Sequence, residues 1–417
     1  MMERARVPDG RSRCIVWQGL AGLVVSLCAC NDAGNLNRVS RQVTADTVVV
    51  TTRSSARSLM AARIVVVWQD SSLEWPHSMT FDGEQIVAIA DRHAVHFLDL
   101  STGEQRSVGR EGAGPGEFQS IQWLTFADDG ALVAHDPSLG RLTFLSPSGE
   151  VVRVKQFSDG ADVAYVPSTN VVYWAGGVLM QTTEMGRARG IPMPTITGHA
   201  LRWFDVDADT GSVLDRWPIG EGEVMASFDG GRAWSPRQLF GPRLIVALGA
   251  GPRHASGYGT VYCIDVRSIA SGAVQRVCRD GLQVRVGSGI RQPDHDLLRD
   301  NDRAVIREQA VPEYLPSYDR LLLGHDGSLW VRTLGTEMAG LHPRVLANHP
   351  DRGPKERAWD VFDTEGRLAC TIWIPMAYQP RVVSLQRVIG FVEMESGEVA
   401  IGVIEIDSLP ERACSGS

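Results

Sequence analysis

A histidine and an aspartate stand side by side at the end of a short apolar segment. They are His135 and Asp136, which follow Val133 and Ala134. An imidazole beside a carboxylate can orient a ligand at the mouth of a pocket, so this pair is a candidate ligand-binding site. Aspartate is also a common turn residue, and the alternative is that Asp136 serves only the turn that follows it.

Three aspartates at alternate positions form a second candidate site. Asp205, Asp207 and Asp209 precede Gly211, and calcium loops use oxygen ligands with this alternation. The glycine stands one position late, however, and no glutamate follows where a bidentate ligand belongs. Because the match is only partial, the favoured interpretation is no cofactor, with a strand whose face is solvated followed by a turn at 209–211. Calcium is the alternative.

No motif of a known catalytic centre occurs in the chain. The patterns G-x-S-x-G and H-E-x-x-H and the Walker phosphate loop are all absent. Gly112, Gly114 and Gly116 alternate, but the segment lacks the preceding strand and following helix that would aim backbone N–H groups at a phosphate. We assign no catalytic residue and interpret this glycine-rich segment as a connector.

The residues around His135 alternate between short strands and tight turns. Turn residues such as Gly130, Gly140 and Gly149 bound each apolar segment. Four short antiparallel strands in succession make one small twisted sheet, which is the blade of a β-propeller. The predicted strands are residues 122–126, 131–135, 141–145 and 151–157.

Two parts of the chain carry recognisable motifs. The first contains Gly112-Ala113-Gly114-Pro115-Gly116-Glu117-Phe118, Asp129-Gly130, Val133-Ala134-His135-Asp136 and Gly140-Arg141-Leu142-Thr143-Phe144. The second contains Leu315-Pro316-Ser317-Tyr318-Asp319-Arg320-Leu321-Leu322, Asp326-Gly327-Ser328-Leu329-Trp330-Val331 and Trp359-Asp360-Val361-Phe362-Asp363.

These motifs resemble the NHL repeat and, more narrowly, the six-bladed β-propeller lipoproteins of bacteria. The resemblance implies an all-β fold of six four-stranded antiparallel blades, and it implies that Arg141 is tied to neighbouring backbone between blades. The sequence departs from the repeat at His135, where an acidic or small residue is usual, and through long insertions in the third and fourth blades.

The predicted propeller extends over residues 46–407, with a tail at 408–417. One of the apolar segments at 47–52 and 63–68 is expected to pair with residues 398–406, because ring closure removes an exposed sheet edge. A short helical insertion is predicted after Asp294, with apolar residues one and two turns apart before Pro312. The predicted rim of the binding face consists of the insertions 185–198, 251–259, 287–312 and 335–356.

The N-terminus has the pattern of a lipoprotein leader. Four arginines precede an apolar run at residues 14–27, which ends in Leu27-Cys28-Ala29-Cys30. This pattern predicts a signal peptide at residues 1–29, a lipid on Cys30 and a polar tether at 30–45. By resemblance to lipoprotein sorting, Asn31 indicates the outer membrane of the cell envelope, and the alternative is a plain secretory signal.

The net charge of the chain restricts the molecules that it is expected to bind. The chain has a net charge of −8 and becomes more acidic without the leader, which disfavours nucleic acid and acidic lipid as partners. The arginines are scattered, and we attribute their excess over lysine to coding bias.

Cys263 and Cys278 flank a predicted turn symmetrically and are candidates for a disulfide in an oxidising compartment. Cys370 and Cys414 form a weaker candidate pair.

Two functions remain open from the sequence. The favoured hypothesis is a lipid-anchored module of the cell envelope that binds a small ligand or another envelope protein at one face of the propeller channel. The alternative is a metal-dependent hydrolase or lyase of the lactonase-like propeller type, in which carboxylates and histidines on the innermost strands hold a divalent metal. Whether the protein is an enzyme is not decided by the sequence, because fold alone does not determine function.

Overall fold

The structure is a computed structural model that describes most of the chain. The described residues are 12–18, 24–30, 38–43, 47–53, 59–61, 64–69, 73–157, 171–187, 194–219, 227–229, 232–234, 240–241, 243–249, 251–293, 296, 311–338, 340, 342, 345–346 and 352–406.

Six strands precede the first blade. The first two pair with each other within the segment that the sequence assigns to a leader. The six strands are β1 (Ser12–Gln18), β2 (Val24–Cys30), β3 (Arg38–Val43), β4 (Thr47–Arg53), β5 (Leu59–Ala61) and β6 (Ile64–Trp68).

Blades 1 to 3 are four-stranded antiparallel sheets. Blade 1 contains β7 (Pro76–Phe81), β8 (Ile86–Asp91), β9 (Ala94–Asp99) and β10 (Gln105–Val108). Blade 2 contains β11 (Trp123–Phe126), β12 (Leu132–Asp136), β13 (Arg141–Leu145) and β14 (Val151–Gln156). Blade 3 contains β15 (Val171–Trp174), β16 (Gly177–Arg187), β17 (Pro194–Asp205) and β18 (Thr210–Pro218).

A separate hairpin, β19 (Ser227–Asp229) and β20 (Arg232–Trp234), precedes blade 4. Blade 4 contains β21 (Ile245–Leu248), β22 (Arg253–Gly257), β23 (Cys263–Ser268) and β24 (Val274–Arg279), and it is followed by the helix α1 (Ser288–Arg291). Blade 5 contains β25 (Tyr318–Leu323), β26 (Leu329–Thr333), β27 (Glu356–Phe362) and β28 (Leu368–Pro375), with a 3-10 turn at Thr336–Met338. Blade 6 contains β29 (Tyr378–Val383), β30 (Arg387–Glu393) and β31 (Val399–Glu405).

The N-terminal strands complete and extend the last three blades. β6 pairs antiparallel with β31 and is the fourth strand of blade 6, so the predicted ring closure is confirmed, and the segment near residues 63–68 is the one that closes it. β4 pairs parallel with β24 of blade 4, and β5 pairs parallel with β28 of blade 5. The six-bladed β-propeller predicted from the sequence is thereby confirmed, and the N-terminal segment lies along three of its outer edges.

The first strand of each blade lies nearest the channel. β7 contacts β11 and β29, β11 contacts β15, and β25 contacts β21 and β29. We call the side of the ring where these first strands begin the upper face. Antiparallel pairing places the end of each second strand and the start of each third strand at the same face.

Large aromatic side chains fill the space within and between the blades. Trp123, Trp330 and Trp359 are fully buried, and each belongs to an apolar cluster that spans strands of adjacent blades. Because interiors pack at crystal-like density, these indoles determine how closely neighbouring sheets approach.

Some sequence predictions differ from the structure in detail. Residues 251–259, predicted as a rim insertion, contain β22, and much of 185–198 belongs to the long hairpin of β16 and β17. β3 lies within the predicted tether and pairs with β4. The helix predicted after Asp294 falls, apart from Asp296, outside the described residues, whereas α1 is a single turn upstream.

The described helices are all short. None of them has the length and apolar character needed to cross a membrane.

Candidate anion-binding site

His135 is buried in the second strand of blade 2. Its ring stacks on the Trp123 indole with centroids 4.8 Å apart and meets Phe157 edge-on at 5.5 Å. Burial lowers the pKa of His135 to about 4, although the Asp136 carboxylate acts in the opposite direction. The imidazole is therefore neutral at pH 7, and the innermost strand of the blade, which carries Trp123, lies between it and the channel.

The Asp136 carboxylate accepts hydrogen bonds from the backbone around it. One carboxylate oxygen accepts the N–H groups of Gln119 and Ser120 at 2.7 and 3.3 Å, and the other accepts Leu139 N–H at 3.1 Å. The carboxylate is fully buried. His135 and Asp136 are therefore both buried, and Asp136 holds the connector and the turn in place.

The three alternating aspartates have three different local environments in the turn at the end of β17. Asp205 Oδ1 accepts the N–H groups of Asp207 and Ala208 at 2.8 Å each. Asp207 pairs with Arg153 of the neighbouring blade, and Asp209 has a positive φ of 53°. Throughout the described ranges, no group of three or more His, Cys, Asp or Glu side chains is arranged to hold a metal ion.

Blade 4 contains a disulfide. Cys263 and Cys278 are register partners on β23 and β24 and form a disulfide. Burial raises the pKa of the Cys370 thiol to about 12, so this thiol is inert at neutral pH. Cys414 lies outside the described residues, and only the backbone of Cys30 is described.

Three adjacent inner strands contain a β-bulge near the upper face. The register shifts between Tyr318 and Arg320 in β25, between Pro380 and Val382 in β29, and between Pro76 and Ser78 in β7. A bulge leaves one residue unpaired and changes the direction of its side chain, and bulges are frequent next to functional sites. The unpaired residues are Asp319, Arg381 and His77.

Four guanidinium groups surround the bulges of blades 5 and 6. Arg320 and Arg332 are register partners on β25 and β26, Arg357 lies near the start of β27, and Arg381 is the bulged residue of β29. All four side chains are half-buried. We call this set the arginine cluster.

Asp319 neutralises only one member of the arginine cluster directly. Its two oxygens accept Nε and Nη2 of Arg332 at 2.6 and 3.0 Å. Arg320 Nη2 donates to the Pro380 carbonyl at 3.1 Å and so links blades 5 and 6. Because a carbonyl carries no net charge, this hydrogen bond leaves the positive charge of Arg320 uncompensated.

Arg357 and Arg381 keep buried donors that the described atoms do not satisfy. Arg357 Nε contacts the Met376 sulfur at 3.1 Å, while its Nη1 has no described hydrogen-bond partner. The Arg381 guanidinium lies 5.1 Å from the Phe391 ring centroid, and its buried Nε also has no described partner. An unmet donor on a charged group is costly when buried, so these two groups favour an added acceptor.

The electrostatics of the arginine cluster favour an anion. Burial, together with repulsion from Arg381 and Arg332, lowers the pKa of Arg320 to about 10. Burial also lowers the pKa of Arg357 and Arg381. The carboxylates that act on the cluster are Asp319 and Glu337, so positive charge is in excess among the described residues.

Sequence reasoning missed the arginine cluster. Its members are widely separated along the chain, and a scattered excess of arginine carries no positional signal. One signal was present: three consecutive strands of blade 5 each carry an arginine within three residues of the end that lies at the upper face. That signal becomes readable only once the strand boundaries are known.

The strand pairing makes the chain a six-bladed β-propeller, and solved structures of low sequence identity are similar to it. A member of the DUF4221 family from Bacteroides vulgatus has 11% identity and a TM-score of 0.52, covering 84% of this chain and 98% of that one. A gluconolactonase from Xanthomonas campestris has 12% identity and a TM-score of 0.39, covering 83% and 90%. The calcium-binding protein regucalcin from Agrobacterium tumefaciens has 11% identity and a TM-score of 0.38, covering 84% and 98%.

These similarities concern the fold alone. No protein family model matches the chain, and no curated protein matches it. The function must therefore be argued from the site.

Proposed function

We propose that the protein is an exported, lipid-anchored binding protein that captures an anionic ligand at the arginine cluster. The observation that carries the proposal is the pair of buried guanidinium nitrogens, Arg357 Nη1 and Arg381 Nε, without described acceptors. Guanidinium groups bind carboxylates and phosphates through charge-assisted hydrogen bonds that neutral partners cannot match. An anion would satisfy these donors and offset the repulsion between the arginines.

The site is already shaped before a ligand arrives. Arg332 is held by Asp319 and lies over the Trp359 ring with its guanidinium carbon 5.9 Å from the centroid. Arg320 is fixed on the backbone of Pro380. Since side chains that are already ordered lose little entropy on binding, the arrangement suits a recognition site.

The metal-dependent hydrolase or lyase has less support. That function needs carboxylates and histidines that converge within metal-bond distance. Within the ranges that the structure describes, His77 lies on an innermost strand, but its ring nitrogens face the carbonyl oxygens of Trp75 and Ile121 at 3.0 and 2.6 Å. We therefore assign the upper face to binding.

The anion site is tested by thermal unfolding in sodium phosphate, sulfate or acetate at constant ionic strength. Binding to the folded state raises the unfolding midpoint by mass action, and the concentration dependence yields an apparent Kd. Arg381→Gln should weaken this affinity about tenfold, the loss of one charge-assisted hydrogen bond.

The matched control is Arg387→Gln. Arg387 lies in the same blade, at the start of β30, which is the end of that strand away from the upper face. Its Nε pairs there with Glu405 at 2.9 Å. This substitution should leave the anion response unchanged. If no anion raises the midpoint, or if both variants respond as the wild type does, the proposed site is wrong.

The lipid anchor depends on Cys30 and is tested separately. In a bacterial host, the wild-type chain should fractionate with membranes and incorporate labelled fatty acid. Cys30→Ser should do neither, because the thiol that would carry the lipid is gone. Membrane association that survives this substitution would contradict the anchor.

A further inference from the structure

Three large apolar side chains are exposed on the connectors of the upper face. Trp75 is 73% exposed, Tyr314 44% and Met376 45%. Each one precedes, by two to five residues, a bulged residue of an innermost strand: His77, Asp319 and Arg381, respectively. The blades concerned, 5, 6 and 1, are consecutive in the ring.

The backbones that carry these side chains are held in place. Trp75 N–H donates to Asp91 Oδ1 at 2.7 Å, and Trp75 C=O lies 3.0 Å from the His77 ring. Met376 N–H donates to the Lys355 carbonyl at 2.8 Å. Tyr314 forms a β-bridge with Arg285, and the next residue is buried. The apolar groups are therefore positioned at the surface, where removing them from water by a ligand would be favourable.

Apolar and cationic groups meet directly at this surface. The Met376 sulfur lies 3.1 Å from Arg357 Nε, and Met376 is five residues before Arg381 on the same connector and strand. A thioether is adaptable and accommodates varied apolar partners. Positive charge bordered by apolar side chains complements a molecule that has one anionic end and one apolar end.

We propose that the ligand is a monomeric amphiphilic acid. Its anionic head would bind the arginine cluster, and its alkyl chain or ring would cover Trp75, Tyr314 and Met376. This inference rests on the proposed function and adds the chemical class of the ligand. Both halves are needed: charge orients the head, and removal of apolar surface from water supplies the remaining affinity.

The test is a chain-length series of carboxylates from acetate to decanoate, each used below its micelle concentration. Calorimetry on the full chain carrying Cys30→Ser avoids competition from an attached lipid. Each buried methylene should tighten binding about three- to fourfold. Arg381→Gln should weaken every acid of the series by the same factor, whereas Trp75→Ala and Met376→Ala should reduce the gain per methylene.

Val152→Ala is the control, since Val152 is equally apolar and exposed but lies on the outer strand of blade 2. It should leave the whole series unchanged. If affinity depends on Arg381 but not on chain length, the amphiphile inference is wrong and the anion site stands.

Other outcomes are equally decisive. If no acid of any length binds and no inorganic anion raises the unfolding midpoint, the proposed function itself is wrong. If inorganic anions raise the midpoint but no acid of any length binds, the amphiphile inference alone is overturned. If monomeric acids do not bind but anionic phospholipid vesicles recruit the chain through Trp75, the surface is a membrane contact and the inference is overturned.

Discussion

His135 illustrates how burial decides what a titratable side chain can do. The residue type and its acidic neighbour are compatible with ligand binding, yet the ring lies between Trp123 and Phe157. Burial lowers its pKa to about 4, so protonation of the ring destabilises the folded state relative to the unfolded chain. At the arginine cluster, burial also removes water from the side chains, but the guanidinium groups remain charged at pH 7. A bound anion would replace the lost hydration of these charges.

The His135 prediction concerns stability below neutral pH. The folded pKa of about 4 lies below the ordinary value of 6.5, so the unfolded chain binds more protons between these values. The contribution of His135 is complete above pH 6.5 and is lost as the pH falls towards 4, by about 3 kcal/mol. His135→Phe keeps an aromatic ring that cannot titrate. In urea unfolding at pH 7.5 and 4.5, it should lose less stability on acidification than the wild type.

The exposed His325 provides the control through His325→Gln. If His135→Phe and His325→Gln show the same loss of stability between pH 7.5 and 4.5, His135 is not the group responsible.

At the scale of elements, the glycine-rich connector into blade 2 is held by charged side chains. Arg141, at the start of β13, donates to the carbonyls of Ala113, Gly114 and Glu117 at 2.9, 2.8 and 2.6 Å. Glu117 accepts Gly114 N–H at 2.8 Å, and a Cβ at Gly112 would overlap its carboxylate. A side chain at Gly112 would therefore displace this carboxylate from the position in which it accepts Gly114 N–H.

Arg141→Ala should destabilise the protein by about 3 kcal/mol, because three carbonyls lose a charged donor in a partly buried site. Arg110→Ala is the matched control on the same connector. Arg110 pairs with Glu117 at 2.7 Å but its side chain is 80% exposed, so its loss should cost less than about 0.5 kcal/mol. Equal midpoints for the two variants in urea unfolding would show that Arg141 does not hold the connector.

At the scale of the whole molecule, the N-terminal strands connect the end of the ring to its beginning. β6 supplies the outermost strand of blade 6, and its Trp68 packs with Phe391, Ile401 and Val403. The same cluster contains Ile89 of blade 1, so one indole joins the first and last blades. Ring closure removes a sheet edge that would otherwise pair with other chains.

Trp68→Ala should therefore destabilise the entire propeller by about 3–5 kcal/mol, as for a large aromatic side chain removed from a core. Val66→Ala on the same strand is the control, because Val66 is exposed and its truncation leaves no cavity. Calorimetric unfolding should show one lowered transition for Trp68→Ala. Similar midpoints for both variants would contradict the role of Trp68 in closure.

Most blades were predictable from turn chemistry. In blade 2 the predicted 141–145 coincides with β13, and the other strands differ by one residue at one or both ends. Gly130, Gly140 and Gly149 all have positive φ there, which few other residues tolerate. β22 was missed because its sequence, Arg-His-Ala-Ser-Gly, has no β-branched residue, and its neighbours in the sheet make it a strand.

The sequence by itself determined that the chain is built of propeller blades and that one of the segments at 47–52 and 63–68 closes the ring, because these depend on local turn chemistry and on periodic apolar residues. The number of blades followed from the resemblance to six-bladed propellers, and only the structure selected the segment at 63–68. Only the tertiary structure decided which polar residues can act together. Asp136 and Asp205 bind nearby backbone, whereas Arg320, Arg332, Arg357 and Arg381 meet across strands of two blades. Strand register and burial determine which side chains of different strands lie together, and neither is a property of a short segment of sequence.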